Sequence, residues 1–172
     1  MKAITILKEI ALFVVLVLFQ VLLFNRIALF GLAVPILYIY FLIKLPISRN
    51  RYYVIILGFL MGLIIDIFLN TPGVNAAATT IAATFRSVIL RMFYSKVESE
   101  NHTPGIHGFT AAFIKYTVTM VVMHQFLLFF IESVTLFNFI DTLTRIGASS
   151  LLTIIIILVL DSLSFRKGNV IG

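Results

Sequence analysis

Six apolar runs, separated by short polar stretches, set the pattern of this chain. They are Ile10 to Phe24, Ile27 to Leu45, Val54 to Leu69, Ala76 to Met92, Phe109 to Ile131 and Ile146 to Leu160. A helical membrane span takes about 20 mostly apolar residues. The pattern therefore predicts an all-α membrane protein, a polytopic bundle of about six transmembrane helices with short loops. The second run is interrupted by Gly31 and Pro35. Proline is tolerated in a membrane helix where neighbours satisfy the freed carbonyl; alternatively, residues 27–34 enter as a bent or re-entrant piece. Tyr38 and Tyr40 are expected toward the inner side, and Tyr52 and Tyr53 at the interface, where aromatic rings anchor.

The third and fourth runs form a hairpin that organises the rest. Gly58, Gly62, Asp66 and Asn70 recur every four residues and share one helix face. Two glycines four apart let another backbone approach closely, so Gly58 and Gly62 read as helix-packing positions and Asp66 points into protein. Asn70-Thr71-Pro72-Gly73 reverses the chain. The next helix opens with small residues, and Asn75, Thr79, Ala82 and Arg86 form its polar stripe. Charges at such depth are costly and are functional candidates by default. Asp66 and Arg86 either pair and lock the hairpin, or one of them faces a partner helix, a substrate or a proton path. Along the helix axes they are offset by about 8 to 10 Å, which a long arginine stem can cover.

Composition agrees with the pattern. Of 172 residues, 61% are hydrophobic and 12% charged, with mean hydropathy +1.13, more apolar than a soluble domain carries. Residues 1–172 read as a single integral membrane domain with no room for a soluble one. Cysteine is absent, which excludes disulfides and thiolate metal sites. The net charge of +6 reads as the positive-inside bias of membrane loops rather than as a nucleic-acid surface. With six spans and a cytoplasmic N-terminus, every basic residue except Arg26 and Arg145 falls on or near the cytoplasmic side.

The remaining polar residues add detail. Gln20 is expected to bond a neighbouring helix. Residues 94–108 read as the one long polar loop, where His102 and His107 lack a third ligand and suggest a solvated linker rather than a metal site. His124 lies inside the fifth run, and no continuous polar chain to Asp66 is evident. Residues 132–144 read as an exposed connection, with Asp141 and Arg145 spaced to pair. Gly147, Ala148, Ser149 and Ser150 form a second small-residue patch with no obvious internal mate, and so a candidate docking face for a partner helix. There is no HExxH, GxSxG or glycine-rich phosphate loop. No enzyme activity, cofactor or metal is expected.

Residues 35–46, Pro-Ile-Leu-Tyr-Ile-Tyr-Phe-Leu-Ile-Lys-Leu-Pro, resemble the second-span signature of the bacterial rod shape-determining protein MreD family. Residues 58–66, Gly-Phe-Leu-Met-Gly-Leu-Ile-Ile-Asp, resemble its glycine-and-aspartate helix. Gly73, Asn75, Ala76 and Arg86 also fit, and length and loop pattern agree over essentially the whole chain. The resemblance implies a non-enzymatic part in cell elongation and peptidoglycan synthesis, in the bacterial cytoplasmic membrane with both termini cytoplasmic. Its implied partners are the bitopic protein MreC, the MreB filament, and the RodA-type polymerase with its transpeptidase. The family is similar in fold to the membrane-embedded substrate-binding subunits of energy-coupling-factor transporters. That likeness supplies a rival: a subunit capturing a vitamin-type molecule in a polar pocket drawn from Asn25, Arg26, Asn70, Asn75, Glu132, Asn138 and Asp141.

Overall fold

The computed structural model describes residues 2–24, 34–94, 103–107, 109–133 and 139–168. These residues are helical, without strands: α1 (Lys2–Leu22), α2 (Ile39–Lys44), α3 (Arg51–Leu69), α4 (Val74–Phe93), α5 (Thr110–Ser133) and α6 (Phe139–Gly168). All but α2 are long and apolar enough to cross a membrane, which marks a multi-pass membrane protein. The last helix begins earlier than expected, because residues 139–144 are helical rather than part of an exposed connection.

The expected second span is the main departure. Residues 27–33 lie outside the described residues. From Val34 the chain is extended to Ile36, and α2 then runs for six residues. Six residues rise about 9 Å, far short of a bilayer core of about 30 Å. The segment nevertheless travels antiparallel to α1. Gln20 meets Pro35 and Leu37, while Glu9 meets Arg49. Eleven residues of α1 separate those two levels, about 16 Å.

This broken piece is the centre of the molecule. Ile36 to Ile43 are all buried. The long helices follow one another around it in the order α1, α3, α4, α5, α6, while α2 touches α1, α4 and α5. Tyr38 and Tyr40 are therefore core side chains, not interface anchors. Non-helical backbone at membrane depth survives only where protein satisfies it, and here side chains do so. Gln20 Nε2 donates to Pro35 O (3.1 Å) and its Oε1 accepts from Leu37 N (2.7 Å). Val34 N donates to Ser149 Oγ (3.1 Å) and Ile36 N to Thr153 Oγ1 (3.0 Å). Gln20 thus clamps a strand-like backbone rather than joining two helices.

The same contacts correct the proposed docking face. Ser149 and Ser150 are buried inside the fold, with Ser149 occupied by the extended segment. Ala148 is half-buried. Only Gly147 is open, with nothing near the position a Cβ would take.

The basic residues gather at one end. Arg49 pairs with Glu9 (2.6 Å) and Lys44 with Asp161 (2.6 Å), near the start of α1 and the late part of α6. Asp161 also accepts from Tyr40 Oη (2.9 Å) and Ile106 N (2.8 Å). The α2–α3 connection, the α4–α5 connection and the late part of α6 therefore share that end with Lys44, Arg49 and Arg51. Arg145, near the start of α6, lies toward the other.

Candidate functional site

The packing of α3 on α4 is the most extensive between any two helices, and two glycines permit it. A Cβ on Gly58 would sit 2.9 Å from Ala83 Cβ, and one on Gly62 would sit 2.5 Å from Asn75 O. At Gly62 the backbones themselves meet, so any side chain must force the helices apart. One turn later, the same face of α3 carries Asp66, which is thereby held against the first turn of α4.

The turn between them has a specific geometry. Asn70 ends α3 in the left-handed region (φ 54°), and its N–H donates to Asp66 O. Gly73 precedes α4 with φ 83°, a conformation glycine adopts at no steric cost. Gly73 has no side chain, so it cannot cap the exposed amides of α4. Asp66 caps them from the neighbouring helix. Its Oδ1 accepts from Asn75 N (3.1 Å), Asn75 Nδ2 (2.9 Å) and the Thr71 hydroxyl, and its Oδ2 accepts from Ala76 N (2.7 Å). A carboxylate at a helix N-terminus is favoured by both the amides and the macrodipole.

From Asp66 a chain of hydrogen bonds leads inward. Tyr38 Oη donates to Asn75 Oδ1 (2.8 Å). His124 Nε2 lies 3.3 Å from Tyr38 Oη and 3.3 Å from Thr79 Oγ1. The Thr79 hydroxyl is already donating to Asn75 O (2.6 Å). Both hydroxyl protons being spent, His124 Nε2 supplies the hydrogen of its contacts. His124 Nδ1 is buried without a hydrogen-bond partner among the described residues. The Tyr38 and His124 rings meet edge to face at 5.3 Å. Contrary to the sequence reading, Asp66 and His124 are connected, and the chain ties α3, α4, α2 and α5 together.

Arg86 does something different. Its Nε donates to Leu42 O (2.7 Å), and one terminal nitrogen donates to Leu45 O and, at 3.4 Å, to Pro46 O. It is 3% exposed. These are carbonyls at the C-terminal end of α2, where a cation complements the helix dipole. Asp66 and Arg86 are therefore not partners of each other. Ala76, which Asp66 holds, and Arg86 are ten residues apart on α4, about 15 Å. Each charge finishes a helix.

Of the expected packing positions, Gly58, Gly62, Gly73 and Asn75 all belong to this hairpin junction. Asn75 faces inward, toward Asp66 and Tyr38, and does not contribute to an outer pocket rim. Asn25, Arg26, Asn138, His102 and the side chain of Asp141 lie outside the described residues. No group of three metal-ligating side chains occurs among the described residues. The participants missed in the sequence were Tyr38, Thr71 and Thr79, along with the Lys44–Asp161 and Arg49–Glu9 pairs. Thr71 carried a signal, being five residues from an intramembrane acid. The ion pairs bridge 117 and 40 positions, and no local pattern marks them. Comparison with protein families, curated proteins and solved structures finds no match to this chain.

Proposed function

We propose that this chain is an MreD-type component of the bacterial cell-elongation machinery, a non-enzymatic membrane scaffold in cell-shape maintenance and peptidoglycan synthesis. One observation supports the reading. The separate stretches that resemble the family touch one another. Residues 35–46 supply Tyr38 to Asn75 and the carbonyls that Arg86 caps. Residues 58–66 supply the crossing glycines and the acid that caps α4. Scattered similarities that converge on one junction are more informative than the same residues dispersed over a surface.

In this reading the protein sits in the cytoplasmic membrane with both termini and the basic end toward the cytoplasm. It holds an MreC-like bitopic protein, and through it the MreB filament and a RodA-type polymerase with its transpeptidase. Affinity purification of the tagged chain from native bacterial membranes tests this. Recovery of a bitopic MreC-like protein is the expected result. Recovery of an ATPase pair with a bound vitamin-sized molecule instead would overturn it in favour of a transport subunit. Because the chain has no cysteine, Ser48→Cys reports orientation cleanly. It should stay unlabelled by an impermeant maleimide in intact cells.

A further inference from the structure

Between the end of α4 and the start of α5 lies a cavity of about 450 Å³, lined by Met92 and Phe93 on one side and by Phe109, Thr110, Ala112 and Lys115 on the other. It opens on the outside of the bundle. On α4, Phe85, Val88 and Met92 form an exposed apolar stripe leading to it, and on α5 Ile114, Val118 and Val122 do the same. In a membrane those stripes face acyl chains, so whatever enters the groove comes from the bilayer. The groove is at the basic end of the molecule. Lys115 is exposed and, unlike Lys44 and Arg49, makes no ion pair among the described residues. It lies five residues into α5, about 8 Å along the axis. At that depth a lysine stem can follow the apolar wall while its ammonium reaches the headgroup level.

We propose that this groove binds an anionic phospholipid, its phosphate on the Lys115 ammonium and an acyl chain along Met92, Phe93 and Ala112. The charge selects the headgroup and the apolar walls hold the chain, the combination that basic pockets between membrane helices offer to acidic lipids. A zwitterionic lipid fits the walls equally but gains less from the lysine, because its own cation opposes it.

The test uses the full chain, reconstituted in equal amounts of phosphatidylglycerol and phosphatidylcholine, with retained lipid measured by native mass spectrometry. The wild type should keep phosphatidylglycerol in preference. Lys115→Met should cut that preference about fivefold, the effect of one basic side chain beside an anionic surface, and Lys115→Arg should restore most of it. Ala112→Phe, which fills the groove without touching the charge, should also reduce retention. Lys8→Met, removing an exposed lysine at the same end, should leave the preference unchanged. Equal retention of the two lipids by the wild type would overturn the proposal. So would a loss in Lys8→Met as large as in Lys115→Met, because the attraction would then belong to the basic end as a whole.

Discussion

Asp66 and Arg86 face the same difficulty, a formal charge inside a membrane protein, and resolve it in opposite ways. The acid meets amide groups at the start of α4, nine and ten residues along the chain. The base meets carbonyl groups at the end of α2, more than forty residues back. In both, the counter-charge is a helix end rather than another ionised side chain. The difference lies in distance along the chain and in depth. Asp66 is one turn from the end of α3, beside the half-buried Thr71. Arg86 is seven residues from the end of α4, about 10 Å along the axis, and braces the only short helix in the core. The acid secures a local turn. The base secures the central segment on which the other helices pack.

The sharpest way to break this comparison is to exchange the charges. Two charges that pair with each other tolerate a swap; two that finish different helices do not. Asp66→Arg with Arg86→Asp places a cation against amides and an anion against carbonyls. The double variant should accumulate in membranes no better than the worse single variant. Partial recovery would mean that the two side chains reach each other after all.

The next largest effect compares the two sites directly. Arg86→Met strands buried carbonyls with no water to take over, at about 1 to 3 kcal/mol for each unsatisfied group. Asp66→Leu strands a similar number of donors, but at a helix end next to a loop that water can reach. Thermal unfolding of the purified protein should show Arg86→Met as the more damaging, with Arg86→Lys between it and the wild type because an ammonium cannot fork across several carbonyls. The reverse order would place the structural weight on the turn instead of the centre.

The unequal distances also explain what was legible beforehand. The hairpin could be read because its whole logic lies within about twenty residues: two glycines, an acid at the same spacing, a turn, and a run of small residues. The role of residues 35–46 could not. Lipid tails are as apolar as a core of leucines, so hydropathy marks Ile36 to Ile43 identically whether they face lipid or protein. Only Pro35 hinted at a break. Tyr38 and Tyr40 looked like interface anchors because their partners, Asn75 and Asp161, are 37 and 121 positions away. The patch from Gly147 to Ser150 looked unclaimed for the same reason: its mate is the amide of Val34, a backbone group that carries no sequence signal.

The smallest expected effect tests which donors hold the acid. The Thr71 hydroxyl donates to Asp66 Oδ1, the same oxygen that Asn75 N and Nδ2 reach, while Ala76 N holds Oδ2. Thr71→Val removes the hydroxyl and keeps the shape. Three donors remain on the carboxylate, and Thr71 is only half-buried, so water at the turn can replace what is lost. Asn75 Nδ2 also gives up only a long 3.4 Å contact to Thr71 Oγ1. The cost should be about 0.5 to 1.5 kcal/mol, that of one ordinary hydrogen bond. Membrane accumulation should be near normal, with the unfolding temperature lowered by a few degrees at most. Asp66→Asn should fall between Thr71→Val and Asp66→Leu, since an amide keeps one acceptor for the helix end but loses the charge and the second oxygen. If Thr71→Val proves as damaging as Asp66→Leu, the hydroxyl and not the end of α4 is what holds the carboxylate, and the likeness between the acid and the base ends there.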